Sequence, residues 1–457
     1  MILLFINERA NVRRKSVEEI YEMPVDLAKV AKDKKLKYFL ISFVDLFGVL
    51  RAKLVPARAI RGMQKDGAGF AGFAAWLDMT PAHPDMFAIP DPESLIILPW
   101  QNDVGWVAGD LVMEGKPVVA SPRVALKAQM AKAKKMGYSF KTGVECEFHL
   151  INDDGSNIYD ERDIQDKPCY DQSALMRRYD VISEICDSMI KIGWGAYQND
   201  HEDANGQWEM NFEYDDVLTT SDRHVFFKYM VKTIAEKHGM RATFMPKPFM
   251  HLTGNGCHIN ASLWDKTGKK NIFQDKKGEL GLSKVAYNFL GGVIKNAEAL
   301  CSVFNPTVNS YKRINAPRTT SGATWSPNTI TYGGNNRTHM VRIPEGNRIE
   351  FRLADGAMNP YLAPAALLAC GLQGVKDKVD PGARIDIDMY AEGHKVRGAK
   401  KLPVNLLDAI RLTGNSKFVR EAMGDELIDA YVKLKLEDWQ SYMQHLTQWE
   451  RNHTLDC

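Results

Sequence analysis

Apolar and polar positions change period several times along the chain, and each change marks an element. Residues 36–56 read as two apolar runs around Asp45–Gly48, which predicts two strands and a turn. Gly67–Phe73, Gly-Ala-Gly-Phe-Ala-Gly-Phe, reads as a small-residue loop carrying aromatics. Pro81–Pro99 reads as a proline-rich surface segment poor in regular structure. Ser121-Pro122 predicts a helix start, since Ser caps and Pro at the first helical position forfeits no bond; Gly137 is the stop. Leu175, Tyr179, Ile182, Cys186 and Met189 recur at helical spacing before Gly193, and Val225–Ile234 and Val285–Val303 read the same way. From Lys141 to Leu150 the period falls to two. Val144, Cys146, Phe148 and Leu150 take one face, and Glu145, Glu147 and His149 the other. Arg348-Ile-Glu350-Phe-Arg352 alternates likewise, and His258, Asn260, Ser262 and Trp264 fall on one face of another strand.

These elements predict an α+β protein with a small β-rich N-terminal domain, 1–120, and a large C-terminal domain, 121–457. A chain of 457 residues exceeds one small core. Hydrophobic content of 45% and charged content of 25% fit a soluble globular enzyme, and a net charge of +2 gives no reason to expect nucleic acid. There is no Walker A motif and no GxGxxG after a strand, so a nucleotide must be bound another way. No apolar run is long enough for a spanning helix, and no membrane partner is expected. Met1–Ile6 is apolar but short and is followed by Asn-Glu-Arg, so no signal peptide is expected. The seven cysteines form no CxxC pair, which reads as reduced thiols in a cytoplasmic protein.

Six residues of metal-ligand type stand on separate segments: Glu145, Glu147, Glu202, Glu209, His258 and Glu350. Taken singly they say little. An isolated Glu-x-Glu is usually a solvated sheet face, and a lone His is usually structural. Glu202–Glu209 reads equally as a polar hairpin or as two acids returned to one place by the Asn205-Gly206 turn. The strand at Arg348–Arg352 also reads as a surface ion-pair ladder. As a set, the six can hold two divalent cations. Two dications beside Arg313, Arg337, Arg342, Arg348 and Arg352 suggest phosphoryl transfer to an anionic substrate. Gly254 and Gly256 allow close approach of backbone to a ligand.

The same residues lie in ordered motifs. After Glu-x-Glu come Glu202-Asp-Ala-Asn-Gly-Gln-Trp-Glu209, Gly254-Asn-Gly-Cys-His258, Asn309-Ser-Tyr-Lys-Arg313, a segment from Asn335 to Pro344, and Arg348-Ile-Glu-Phe-Arg352 followed by Asp355 and Asn359-Pro-Tyr361. Together they resemble the glutamine synthetase family over most of the chain. The resemblance implies a small N-terminal β-grasp domain and a large catalytic domain with a curved antiparallel sheet flanked by helices. It implies Mg²⁺ or Mn²⁺ on Glu147, Glu202 and Glu209, and a second ion on Glu145, His258 and Glu350. It implies glutamate on Gly254, Arg313 and Arg352, phosphates and nucleotide on Arg337, Arg342 and Arg348, and Ser262 and Trp264 near the nucleotide. Arg337 and Arg313 would act in catalysis. ATP would convert the γ-carboxylate of L-glutamate into a γ-glutamyl phosphate, which an amine then attacks. A homo-dodecamer of two hexameric rings with active sites between subunits is implied too.

Two family acids that serve ammonium are missing: Ala71 stands at one place and Thr319 at the other. Phe70, Phe73, Trp76 and Trp325 offer apolar surface instead, which suits an alkylammonium. Glu-Asp-Ala-Asn-Gly-Gln and Asn-Asn-Arg-Thr-His-Met resemble the γ-glutamylmethylamide synthetase branch, so methylamine is the expected amine. The alternatives are ammonia, a larger amine, or a non-catalytic relative, the last of which predicts broken metal ligands. Tyr390 lies near the place where some relatives are adenylylated, but its surroundings differ and no such control is expected.

Overall fold

The structure, a computed structural model, describes residues 25–457, so the apolar Met1–Ile6 stretch lies outside the described residues. Contacts divide the chain into two compact units. One runs through Lys127 and includes Ile190–Gly193; the other holds Ala128–Met189 and Trp194–Cys457.

The first unit is built on a mixed sheet. Strands β1 (Tyr38–Val44) and β2 (Leu50–Pro56) form the hairpin that the alternation predicts, and Asp45 closes its turn by accepting from the amides of Phe47 and Val49. The order continues as β2-β1-β6-β4-β3, with β3 at Ala68–Phe70, β4 at Met86–Pro90 and β6 at Val104–Met113; β5 (Ile96–Ile97) and β7 (Lys116–Pro117) also pair with β6. The β1–β6 pairing is parallel and the others antiparallel. The Pro81–Pro99 segment therefore corrects the surface reading. Met86, Ala88 and Ile89 are buried in a strand between β6 and β3, because Pro90 falls at the strand's last position. The first turns of helix Pro122–Lys135 belong to this unit through charge. Buried Arg123 donates to Asp110 and Asp91 at 2.7 Å each, and Lys127 to Asp110 at 2.6 Å.

The second unit has two sheets. One has the order β10-β11-β9-β13, from Gln198–His201, Gln207–Asn211, Phe148–Ile151 and Arg241–Thr243. The other has the order β12-β8-β14-β17-β16-β15, from Asp215–Asp216, Tyr138–Cys146, Cys257–Asp265, Ile349–Phe351, Val341–Arg342 and Tyr332–Gly333. Helix Val217–Lys237 buries Phe226, Phe227, Met230 and Ile234, and the paired helices Lys284–Asn296 and Leu362–Asp377 close the core.

Further element readings change. Ala68–Phe70, read as part of a loop, pairs as a strand with β4, and the run Val285–Val303 is one helix only to Asn296, followed by a 3-10 turn at Glu298–Leu300 and a short helix at Cys301–Phe304. The periodic run 175–189 is two helices, Gln172–Arg177 and Tyr179–Lys191, broken at Arg178. The second buries Val181, Ile182, Ile185 and Met189, whereas Tyr179 is exposed. The alternating run Lys141–Leu150 is not one strand either. It breaks at Glu147, with β8 in the six-stranded sheet and β9 in the four-stranded one.

Candidate active site

The break at Glu147 has a local cause. The Glu147 amide donates to Gly256 O at 3.1 Å, while its own carboxylate accepts from the Gly256 amide at 2.6 Å. Side chain and backbone thus both turn toward the Gly254–Gly256 loop. His149, expected beside Glu145 and Glu147, is fully buried elsewhere and its Nδ1 lies 2.8 Å from Asn255 Oδ1.

Strand register assembles the candidate ligands. Glu145 on β8 faces His258 on β14, and Glu350 on β17 pairs with Asn260, two residues beyond His258. The donor atoms of Glu145, His258 and Glu350 lie within 4.8 Å of one another, as do those of Glu147, Glu209 and His258. His258 lies between the groups. Its Nδ1 is 3.4 Å from Glu145 and 3.6 Å from Glu350, and its Nε2 is 3.9 Å from Glu147. Glu202 is outside both groups here. Its carboxylate accepts from the Asp203 amide at 3.0 Å, and its charge acts on Glu209.

The electrostatics fit a cation site. Burial pushes the Glu147 carboxyl up to about 7, against the pull of Arg313. Burial and the Glu147 charge push Glu202 up to about 8. Glu209 is raised by burial and then by Glu145, Glu202 and Glu147. Burial, then Arg352, lowers His258, which favours the neutral imidazole a metal needs. Buried carboxylates that repel one another, with a neutral histidine among them, are an oxygen-rich donor set suited to Mg²⁺ or Mn²⁺.

Amide side chains hold this set in place, and sequence reasoning missed them. Gln207 Nε2 faces Glu147 Oε2 at 2.9 Å, Gly254 O at 3.1 Å and Asn255 Oδ1 at 3.2 Å. Asn211 donates to Glu209 at 2.8 Å and Asn260 to Glu145 at 2.7 Å. Asp163 anchors the β10–β11 turn, accepting from the Gly206 amide at 2.6 Å and from Asn205 at 3.0 Å, with His201 Nε2 at 2.7 Å. The available signal was the strand period: Gln207 and Asn211 flank Glu209 at two residues and Asn260 follows His258 by two, so each shares a face with a candidate ligand.

The arginines divide into two kinds. Arg313 ends helix Val308–Ile314, is buried, and donates to Leu353 O at 3.1 Å. It packs on the glycine loop so closely that a Cβ on Gly256 would lie 2.9 Å from Arg313 Nη2 and His258 Nε2 and 3.2 Å from Glu147 Oε1. Gly254 is equally confined, by Pro246 O and Arg313. Arg342 and Arg352 are both drawn to Glu350; Arg352 donates to it at 2.6 Å, and Arg342 Nε lies against its other oxygen. Arg337 is exposed on a turn, and its charge acts on Arg342.

Arg348, Ser262 and Trp264 line a cavity of about 380 Å³, together with Lys141, Glu145 and Tyr214. Trp264 Nε1 donates to Ser262 at 2.9 Å, and Lys141 Nζ sits 4.4 Å from the Trp264 ring centroid. The cavity thus offers aromatic faces, from Trp264 and Tyr214, and a carboxylate, from Glu145.

The amine-pocket candidates fall in separate units. In the first, Phe70 packs edge-on against Phe43 at 5.0 Å and is capped by Lys53, so it is already partnered. Ala71, Phe73 and Trp76 are exposed. In the second, Thr319 is buried, and Trp325 takes a positive φ of 53°. The Tyr390 hydroxyl is buried near Arg352, Arg313 and Thr324, and burial pushes it up to about 12. A third donor group is buried where Cys146 and Cys257, paired across β8 and β14, meet His224 of helix Val217–Lys237. The charge of Lys228 acts on both of its thiols, so a cation already stands beside it.

Residues 119–454 match the family described as "Glutamine synthetase, catalytic domain". The chain is 63% identical to a glutamine synthetase of Rhizobium leguminosarum bv. phaseoli, over 95% of this chain and 100% of that one. It is 41% identical to a glutamate–methylamine ligase of Methyloversatilis universalis, over 95% and 99%. A solved structure titled "GmaS/ADP complex-Conformation 1" superposes with a TM-score of 0.92 at 62% identity, covering 94% of this chain and 100% of that one. The chain belongs to the glutamine synthetase family, with that family's catalytic fold and its ATP-dependent ligation chemistry. Within the family it resembles the γ-glutamylmethylamide synthetases. Among the described residues, no helix is long and apolar enough to cross a membrane.

Proposed function

We propose that this protein ligates an amine to the γ-carboxylate of L-glutamate at the expense of ATP, with methylamine as the preferred amine and γ-glutamylmethylamide as the product. The observation that carries the amine reading is Thr319. At the place where the family resemblance expects an ammonium-handling acid stands a buried hydroxyl, which donates to Ala323 O. The likeness to a glutamate–methylamine ligase and to the GmaS structure supports the same reading.

The roles follow from the donor set. Glu145, His258 and Glu350 would hold one Mg²⁺, and Glu147, Glu209 and Glu202 another; such ions neutralise the carboxylates and stabilise negative charge on phosphoryl oxygens. Arg313, buried on the glycine loop, binds the substrate carboxylate, and the narrow approach at Gly254 and Gly256 fixes its orientation. Arg352, now paired with Glu350, would join it with Glu350 holding an ion. Arg337 and Arg342 bind phosphate oxygens as the γ-carboxylate oxygen attacks the terminal phosphorus of ATP and ADP leaves. The amine nitrogen then attacks the acyl carbon and phosphate departs. Trp264, Ser262 and Arg348 take the nucleotide in the cavity they line. The mixed sheet supports a β-grasp reading of residues 1–120 ahead of a catalytic domain at 121–457. A cytoplasmic dodecamer of two hexameric rings completes the proposal, and the buried Tyr390 hydroxyl supports the absence of adenylylation there.

The test is ADP release from protein, L-glutamate, ATP and Mg²⁺ with ammonia or methylamine at matched concentration and pH. We expect methylamine to be turned over at the higher kcat/KM. A preference for ammonia would favour the second reading, a glutamine synthetase proper, which the 63% identical relative supports.

A further inference from the structure

We propose that Asp203 is a positioning residue: its carboxylate latches segment 319–321 onto the ligand-bearing hairpin and so fixes Thr319 at the amine end of the site. This rests on the ligase reading above.

The segment needs a latch. Between the end of helix Val308–Ile314 and the isolated bridge at Thr329 the backbone forms neither helix nor strand, and Gly322 turns at a φ of 88°. What holds 319–321 is a run of three hydroxyls. Thr320 donates to His251 O with its amide at 2.9 Å and its hydroxyl at 2.8 Å. Ser321 donates its hydroxyl to Asp203 Oδ2. Thr319 donates to Ala323 O, and its hydroxyl lies 3.1 Å from Ser321 and 3.4 Å from Thr253. Thr253 in turn donates to the same Asp203 oxygen at 2.9 Å.

Asp203 Oδ2 therefore joins three segments. It takes one hydroxyl from the loop that leads into Gly254 and another from the irregular segment, while Asp203 itself stands beside Glu202 on the β10–β11 turn. The side chain is buried, and a hydroxyl bonded to a carboxylate is stronger than one bonded to a neutral acceptor. An Asn keeps an acceptor oxygen for both hydroxyls, whereas an Ala keeps none. The latch thus makes a prediction that a proton-accepting Asp203 does not.

The experiment uses the whole enzyme with Mg²⁺, ATP and L-glutamate, comparing D203A, D203N and S321A. Two readouts are taken: amide hydrogen exchange of the peptide spanning 319–323, and the KM and kcat for methylamine beside the KM for ATP. For D203A we expect faster exchange in that peptide and a KM for methylamine raised about tenfold, with the KM for ATP little changed. D203N should restore most of both, and S321A should reproduce part of the D203A effect. Equal loss of kcat in D203A and D203N with unchanged exchange would overturn the latch in favour of a proton acceptor. Unchanged exchange and kinetics in D203A and S321A would overturn it outright. If the wild-type enzyme turns over no amine, the ligase reading fails by itself, and the exchange arm still decides whether the latch exists. If D203A does not fold, D203N and S321A carry the test.

Discussion

At the scale of single residues, the site depends on atoms that are absent. Gly256 leaves room where a methyl group would press on Arg313, His258 and Glu147 at once. We expect Gly256→Ala to lower kcat/KM by on the order of a hundredfold, because misplacement of about 1 Å costs that much, while the melting temperature moves little. Turnover near wild type in that variant would mean the loop has slack that the distances do not suggest. Gln207 is the opposite case, a side chain that supplies what a carboxylate lacks. Gln207→Ala removes a donor from buried Glu147 and should lower stability by about 1–3 kcal/mol, read as a shifted urea midpoint with unchanged slope. The candidate donors Glu145, His258 and Glu350, which the structure brings together, were visible in the sequence because alternation sets side chains on faces. The role of Gln207 was not, since its partners, Glu147 and the Gly254–Asn255 loop, come from two distant segments.

At the scale of elements, the sequence speaks clearly where a segment obeys one period. The 38–56 hairpin and the helix from Pro122 fall where alternation and capping put them. It speaks less clearly where tertiary bonds override a period. Lys141–Leu150 alternates without a fault, yet the strand leaves its sheet at Glu147, because the Gly256 amide takes that side chain and Gly256 O takes its backbone. His149 accordingly ends up among core residues and not on the ligand face. Proline content hid β4 in the same way, since Pro90 marks the end of a buried strand and not a surface loop. The β10–β11 hairpin offers a direct test of an element held from outside. Asp163 ties its turn at three points, so Asp163→Ala should cost about 2 kcal/mol or more and loosen Glu202 relative to Glu209. The measurement is Mn²⁺ affinity of the variant by titration, where a value equal to wild type would separate the turn from the ion site.

At the scale of the whole molecule, several buried acids set how the metal-free protein responds to pH. Glu147 and Glu202 hold protons more tightly in the fold than in the unfolded chain, being raised from 4.5 to about 7 and about 8. The stability they contribute is therefore full below 4.5 and is lost as pH rises through those folded values. We expect the melting temperature of chelator-treated protein to fall across that window, and Glu202→Gln to flatten the fall. Added Mg²⁺ should raise the melting temperature most at the alkaline end, where the carboxylates are ionised and unpaired. The same carboxyls carry a consequence for the solution around the enzyme. Protons that sit where a cation belongs must leave when it arrives, so an ion taken up near neutrality by Glu147, Glu202 and Glu209 acidifies an unbuffered solution. The heat of binding will then depend on the buffer chosen, and the number of protons expelled will shrink toward zero as the pH is raised past the last of the buried acids.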